Sequence, residues 1–210
     1  TVTTSEVVNV VTTGGTPTLA LANGGTATYT GGTGTSTLTF SYTPAAGQDT
    51  ADLATATSNA LALNGGTIKD LAGNTVTASG FDNVNPAGTL IVDTTAPIVS
   101  SIAYGANDGR LALGEAVNLT VTLSEAVNVT GAPTLALANG GTATYTGGTG
   151  TNTLTFSYTP APGQDTADLA TAATSALSSN GGTIKDLAGN SVTASGFNNA
   201  NPAGTLIVDT

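Results

Sequence analysis

The side chains in this chain that could bind a ligand are mainly carboxylates and carboxamides in short loops. Thirteen Asp and Glu residues face only three Lys and Arg residues. Carboxylate and carbonyl oxygens suit Ca²⁺, which takes about six to eight oxygen ligands. We therefore predict a calcium site, with Ca²⁺ as the cofactor, from loop oxygens. The candidate ligands are Asp93 in VDTTAP, Asp108 in ANDG, Glu125 in SEAV, and Asp70 and Asn74 in KDLAGN. Taken singly, Asp70 and Asn74 also fit an Asx-type turn, and Asp93 fits a solvated strand end.

The residue types needed for common catalytic sites are missing. The chain has no Cys and no His, which excludes Ser-His-Asp and Cys-His catalysis and zinc sites built on those side chains. Asp49 and Asp52 are spaced like a glycosidase acid pair, but no aromatic sugar platform accompanies them. These carboxylates fit backbone hydrogen bonding at a corner between strands better. We therefore predict that the chain is not an enzyme.

The surface charge is low and one-sided. Only 8% of residues are charged, and the net charge is −10. Binding to nucleic acid or to an anionic membrane needs clustered Lys and Arg, so neither is an expected partner. Apolar runs are only a few residues long, and membrane insertion is not expected.

The chain contains two near-copies of one sequence. Residues 16–94 match residues 132–210 at an offset of 116, with 11 differences in 79 positions. Upstream, SEVVNV at 5–10 matches SEAVNV at 124–129 at an offset of 119. The stretch 95–119 precedes only the second copy. Near-identical adjacent modules are typical of spacers and multivalent binders, so we expect neighbouring repeats to be partners.

The hydrophobic pattern within each copy has a period of two. In 36–43, Leu38, Phe40 and Tyr42 alternate with Thr and Ser, as in a half-buried strand. Gly-rich and Asn-rich turns separate such runs. About seven short strands per module predict an all-β fold of two tandem Ig-like β-sandwich modules. We place the first module, lacking its first strand, at 1–93 and the second at 94–210. A β-solenoid would need a shorter repeat period than the sequence contains.

A set of motifs in fixed order carries a resemblance over essentially the whole chain. The motifs are DTTAPIVSSIAYGANDG at 93–109, EAVNLTVTLSEAVNVTGAPTLAL at 115–137, GTATYTGGTGTNTLTFSYTPAPGQDTADL at 141–169, and GGTIKDLAGN at 181–190. They resemble the Ig-like tandem repeats of giant bacterial surface adhesins, of the Bap type and the type I secreted RTX type. The resemblance implies non-catalytic extender modules at the bacterial cell surface, stiffened by Ca²⁺ at module junctions.

The same resemblance implies further metal ligands. The junction motif falls on 93–97, and its aspartate recurs as Asp209. The SEAV glutamate falls on Glu125, with Glu6 as its counterpart in the first copy. The KDLAGN loop recurs at Asp186 and Asn190. The first copy lacks its first strand and half of its second, so a junction around Glu6 is expected to be incomplete.

Two other functions compete with an extracellular spacer. Tyr29 and Tyr145 beside Gly-Gly turns are the best exposed aromatics for a glycan-binding module. Alternatively, a strand from 95–104 could be donated between identical chains and build a filament or surface layer by strand exchange. Both remain alternatives to the spacer hypothesis.

Overall fold

Strands account for nearly all of the regular secondary structure, as the alternation of Thr with aliphatic residues predicts. The structure, a computed structural model, describes residues 1–210. The chain separates into two compact units, Thr1–Thr95 and Ala96–Thr210. Only two short 3-10 helices interrupt the strands, Ala78–Phe81 and Ala194–Phe197. The predicted all-β fold with two β-sandwich-like modules is confirmed.

The first unit is built on one curled antiparallel sheet. Its strands in spatial order are β5-β2-β3-β4-β1-β6. Their bounds are β1 Val2–Val11, β2 Thr18–Ala20, β3 Thr26–Gly31, β4 Thr35–Ser41, β5 Leu61–Ala62 and β6 Thr67–Asp70. Leu38 and Ile68 are fully buried in the core of this unit, and Phe81 of the 3-10 helix packs with them.

The second unit repeats this sheet and adds two strands before it. The repeated strands follow the order β13-β10-β11-β12-β9-β14, and β7 pairs with β9 in addition. The bounds are β7 Val99–Tyr104, β8 Arg110–Ala112, β9 Val117–Thr130, β10 Thr134–Ala136, β11 Thr142–Gly147, β12 Thr151–Tyr158, β13 Leu177–Ser178, β14 Thr183–Lys185 and β15 Ile207–Asp209. Strands β8 and β15 form a separate parallel pair.

Strand β9 organises the second unit because it pairs with three other strands. Its first half lies between β12 and β7, and its last residues pair with β14. The ladder register shifts between Thr151 and Thr153 of β12, opposite the middle of β9. Such an irregularity bends a strand and re-aims its side chains. Glu125 lies on this irregular part of β9, and the same register shift recurs around Glu6 of β1.

Candidate metal centre

The loop after β14 holds one carboxylate in a fixed position. Asp186 Oδ1 accepts hydrogen bonds from the Gly189 amide at 2.6 Å and the Asn190 amide at 2.8 Å, and Oδ2 accepts from Asn190 Nδ2 at 2.8 Å. Gly189 has φ of +101°, a conformation that favours glycine. The Asp186 side chain is only 3% exposed. The sequence DLAGN therefore folds into a turn that orders its aspartate and buries it.

A second carboxylate approaches this one from β9. Oxygens of Glu125 and Asp186 lie within 4.8 Å of each other, and Glu125 is half-buried. Like charges this close repel, and water screens them less when they are buried. A divalent cation would convert this repulsion into attraction. These two carboxylates could hold a metal ion within the second unit.

The chemistry of these donors selects a class of ion. Glu125 and Asp186 both offer oxygen ligands, and neither is a thiolate or an imidazole. Hard cations such as Ca²⁺ and Mg²⁺ prefer carboxylate oxygen, whereas Zn²⁺ sites are usually built on Cys and His. A loop carboxylate and a strand carboxylate can act as a cation clamp without catalysing a reaction.

The corresponding loop of the first unit forms the same turn, but its aspartate, Asp70, is half-buried instead of buried. Asp70 Oδ1 accepts from the Asn74 amide at 2.8 Å, and Oδ2 accepts from Asn74 Nδ2 at 2.7 Å. These bonds, first of all those from Asn74, hold the pKa of Asp70 below its ordinary value. Glu6 of β1 is exposed. The Asx-turn interpretation of this loop is thus sufficient for the first unit.

Two other predicted ligands, Asp108 and Asp209, lie outside the acidic group. Asp108 is exposed and accepts from the Arg110 amide at 3.1 Å, so it shapes the turn before β8. Asp209 is exposed at the end of β15. Asp93 lies near the end of the first unit and accepts from the Thr95 amide at 2.9 Å. Asp186 is buried, whereas its copy Asp70 is only half-buried. Because the loop sequence is the same in both copies, this difference could not be predicted from it.

The aspartates with the glycosidase-like spacing are structural. Asp168 Oδ2 accepts from Asn201 Nδ2 at 2.9 Å, and its Oδ1 accepts from the Leu206 amide at 3.1 Å. Asp165 Oδ1 accepts from the amide and the hydroxyl of Thr210 at 2.7 and 2.8 Å. The first unit repeats these bonds from Asp52 and Asp49. Each carboxylate thus ties a distant loop to the segment 163–169 or to its copy.

These ties predict an acid-sensitive fold. Hydrogen bonds, first of all from Asn201, hold the pKa of Asp168 below its ordinary value. A carboxyl whose pKa is lower in the folded state stabilises the fold above its unfolded pKa, and that stability is lost as the pH falls through the folded pKa. We expect the free energy of unfolding, measured by urea titration in EDTA, to fall below about pH 4.

Two variants distinguish the contribution of Asp168 from the effect of acid on the other carboxyl groups. Asp168→Asn cannot titrate, and Asn201→Ala keeps the charge but removes the first of the bonds that lower the pKa. Both variants are expected to be less stable than the parent at neutral pH and to show a shallower loss in acid. An acid dependence identical to that of the parent chain in both would contradict this assignment.

The aromatic candidates for glycan binding do not form an open platform. Tyr29 packs edge-to-face on Phe40 with ring centroids 5.7 Å apart, and Tyr145 packs on Phe156 at 5.8 Å. Both tyrosine hydroxyls are buried and without a hydrogen-bond partner. Sugar stacking needs an exposed ring face, which these half-buried side chains do not provide.

Comparisons with known proteins add no relative to this picture. No protein-family model, curated protein or solved structure matches the chain. Neither of the 3-10 helices has the length or the apolar character that a membrane-crossing helix needs.

Proposed function

We propose that this chain is a non-catalytic extender segment of a bacterial cell-surface adhesin, located outside the cell. The observation that carries the proposal is the tandem duplication of one all-β unit, with 11 differences in 79 positions. Repetition of a nearly identical module adds length or valency and does not add a new reaction. The acidic, weakly charged composition and the lack of His and Cys support a passive, extracellular role.

Calcium is the proposed stiffening ligand of the joint between modules. Asp93 precedes Pro97 by only four residues, and the Pro97 carbonyl accepts a hydrogen bond from the Thr193 amide at 2.9 Å. The linker is therefore anchored to Thr193, which lies three residues after Asn190 in the loop that holds Asp186. We propose that Glu125 and Asp186 bind Ca²⁺ beside this anchor and so restrict the start of the second unit.

Small-angle scattering tests the rod. With Ca²⁺, we expect the distance distribution of the 210-residue chain to be that of one elongated particle with little conformational spread. In EDTA the distribution should broaden, because the linker regains its freedom. Identical profiles in Ca²⁺ and EDTA would refute calcium stiffening, and a flexible pair of modules under both conditions would refute the rod as well.

A further inference from the structure

The sequence Asn-Gly-Gly-Thr occurs four times in the chain, at 23–26, 64–67, 139–142 and 180–183. In an Asn-Gly pair, the backbone nitrogen of the glycine can attack the side-chain amide of the asparagine, because glycine has no side chain to hinder the approach. The local sequence is the same at all four sites, so a difference in their chemistry has to come from the fold.

Two of the four sites keep the attacking nitrogen in a hydrogen bond. In the second unit, the Gly140 amide donates to a backbone carbonyl at 3.1 Å. Asn139 Nδ2 donates to the Tyr158 hydroxyl at 2.9 Å and to the Gln164 carbonyl at 2.7 Å. The first unit repeats all three bonds. We name the pairs 23–24 and 139–140 the closed sites.

The other two sites lie in turns that leave this nitrogen free. The Gly182 amide donates to the Ser179 carbonyl at 2.8 Å, and the Gly181 amide donates no such bond. Asn180 and Gly181 have φ of +49° and +79°, as the central residues of a type I′ turn do. The turn at 63–66 has the same bond, the same signs of φ and an exposed asparagine. We name the pairs 64–65 and 180–181 the open sites.

A hydroxyl group distinguishes the two open sites. Ser178 Oγ donates to Asn180 Oδ1 at 2.8 Å. The first unit has Ala62 at this position and therefore no such donor. When a nitrogen adds to the side-chain carbonyl, the carbonyl oxygen gains negative charge, and a positioned donor stabilises that charge. Asn180 thus has both a free nucleophile beside it and a donor on its oxygen.

We propose that Asn180 is a site of spontaneous self-modification, with Ser178 as its oxyanion donor. The Gly181 nitrogen forms a bond to Asn180 Cγ, and the bond from Cγ to Nδ2 breaks. The proton of the Gly181 amide leaves with Nδ2 as ammonia, and a five-membered cyclic imide remains. Water then opens the ring at either carbonyl and yields aspartate or isoaspartate. The inference depends neither on calcium nor on the adhesin proposal.

Two hydrogen bonds of the unmodified side chain set the rate and the consequence of this reaction. Asn180 Nδ2 donates to the Ala132 carbonyl at 2.9 Å and to the Thr134 hydroxyl at 3.2 Å. The turn has to open locally before the ring closes, so the folded chain reacts more slowly than an unfolded one. In the product, a carboxylate that cannot donate faces the Ala132 carbonyl. Modification therefore releases the turn between β13 and β14 from the start of β10 and adds one negative charge.

The test is incubation of the 210-residue chain in EDTA at mildly alkaline pH, followed by peptide mapping with mass spectrometry. Alkali speeds the reaction because the glycine amide has to lose its proton before it attacks. We expect the acid form at the open sites before the closed sites, and at Asn180 before Asn64. The closed sites share their flanking sequence and are counted together. In urea all four sites should react at similar rates, since their sequences are the same.

Exchange of one residue between the copies tests the hydroxyl group. Ser178→Ala gives the second unit the residue of the first and should slow the reaction at Asn180 by roughly two- to tenfold, the equivalent of one ordinary hydrogen bond. Ala62→Ser should speed the reaction at Asn64 by a similar factor. Both positions are exposed, so neither substitution should change the melting temperature.

Three results would overturn the inference. The first is a reaction at the closed sites as fast as that at Asn180 in the folded chain. The second is an unchanged rate at Asn180 in Ser178→Ala. The third is a folded chain that contains no acid form at Asn180 when the chain in urea has reacted completely.

Discussion

Calcium is expected to raise the melting temperature of the second unit, and Glu125→Gln is expected to remove most of that rise. An ion bound only by the folded state stabilises it by about 2.7 kcal/mol at a concentration one hundred times its dissociation constant. For a unit of this size, each kcal/mol of added stability raises the melting temperature by roughly 4–8 °C. Calorimetry in Ca²⁺ and in EDTA measures the effect directly.

The repeat supplies a matched control for this experiment. Glu6 is the counterpart of Glu125 and is exposed on β1. Glu6→Gln should therefore leave the calcium-dependent rise intact. In EDTA, Glu125→Gln should melt at or above the temperature of the parent chain, because it removes repulsion between two close carboxylates. A parent chain that melts at the same temperature in Ca²⁺ and EDTA would contradict the metal centre.

The same substitution at two copied positions should have very different costs. Leu206→Ala removes a fully buried side chain and should cost about 2–5 kcal/mol, because a cavity remains in the core. Leu90→Ala removes a side chain that is 60% exposed and should change stability by no more than about 0.5 kcal/mol. Hydrogen exchange at increasing urea concentrations, measured separately for the two units, gives both values.

This comparison also tests the asymmetry between the units. The flanking sequences around Leu90 and Leu206 are the same, so local propensity cannot produce a difference. Equal costs at the two positions would show that the first unit covers Leu90 in solution. A large cost at Leu206 alone supports the difference in burial between the two leucines.

Much of the fold could be predicted because its cause is local. Alternation of Leu38, Phe40 and Tyr42 with Thr produces a strand with one apolar face, and glycine-rich turns reverse the chain between strands. The KDLAGN turn is local as well, and both copies form it with the same hydrogen bonds from Asn to Asp. The strand content and the candidate carboxylates therefore follow from short stretches of sequence.

Tertiary structure decided which of these carboxylates come together. Asp70 and Asp186 occupy the same turn, yet only Asp186 is buried beside a second carboxylate from β9. Strands β1 and β9 carry the same register shift around this glutamate, so the difference lies in what packs around the two turns. Contacts of this kind join residues far apart in the chain, so no local pattern shows them.

By itself, the sequence determined the repeated β units, the acidic loops and the exclusion of His- and Cys-based chemistry. Only the tertiary structure decided that 97–111 covers the apolar face of its own unit and buries Leu206. The physical reason is that burial depends on what packs against a residue. Leu90 and Leu206 have the same immediate neighbours in sequence but different neighbours in space.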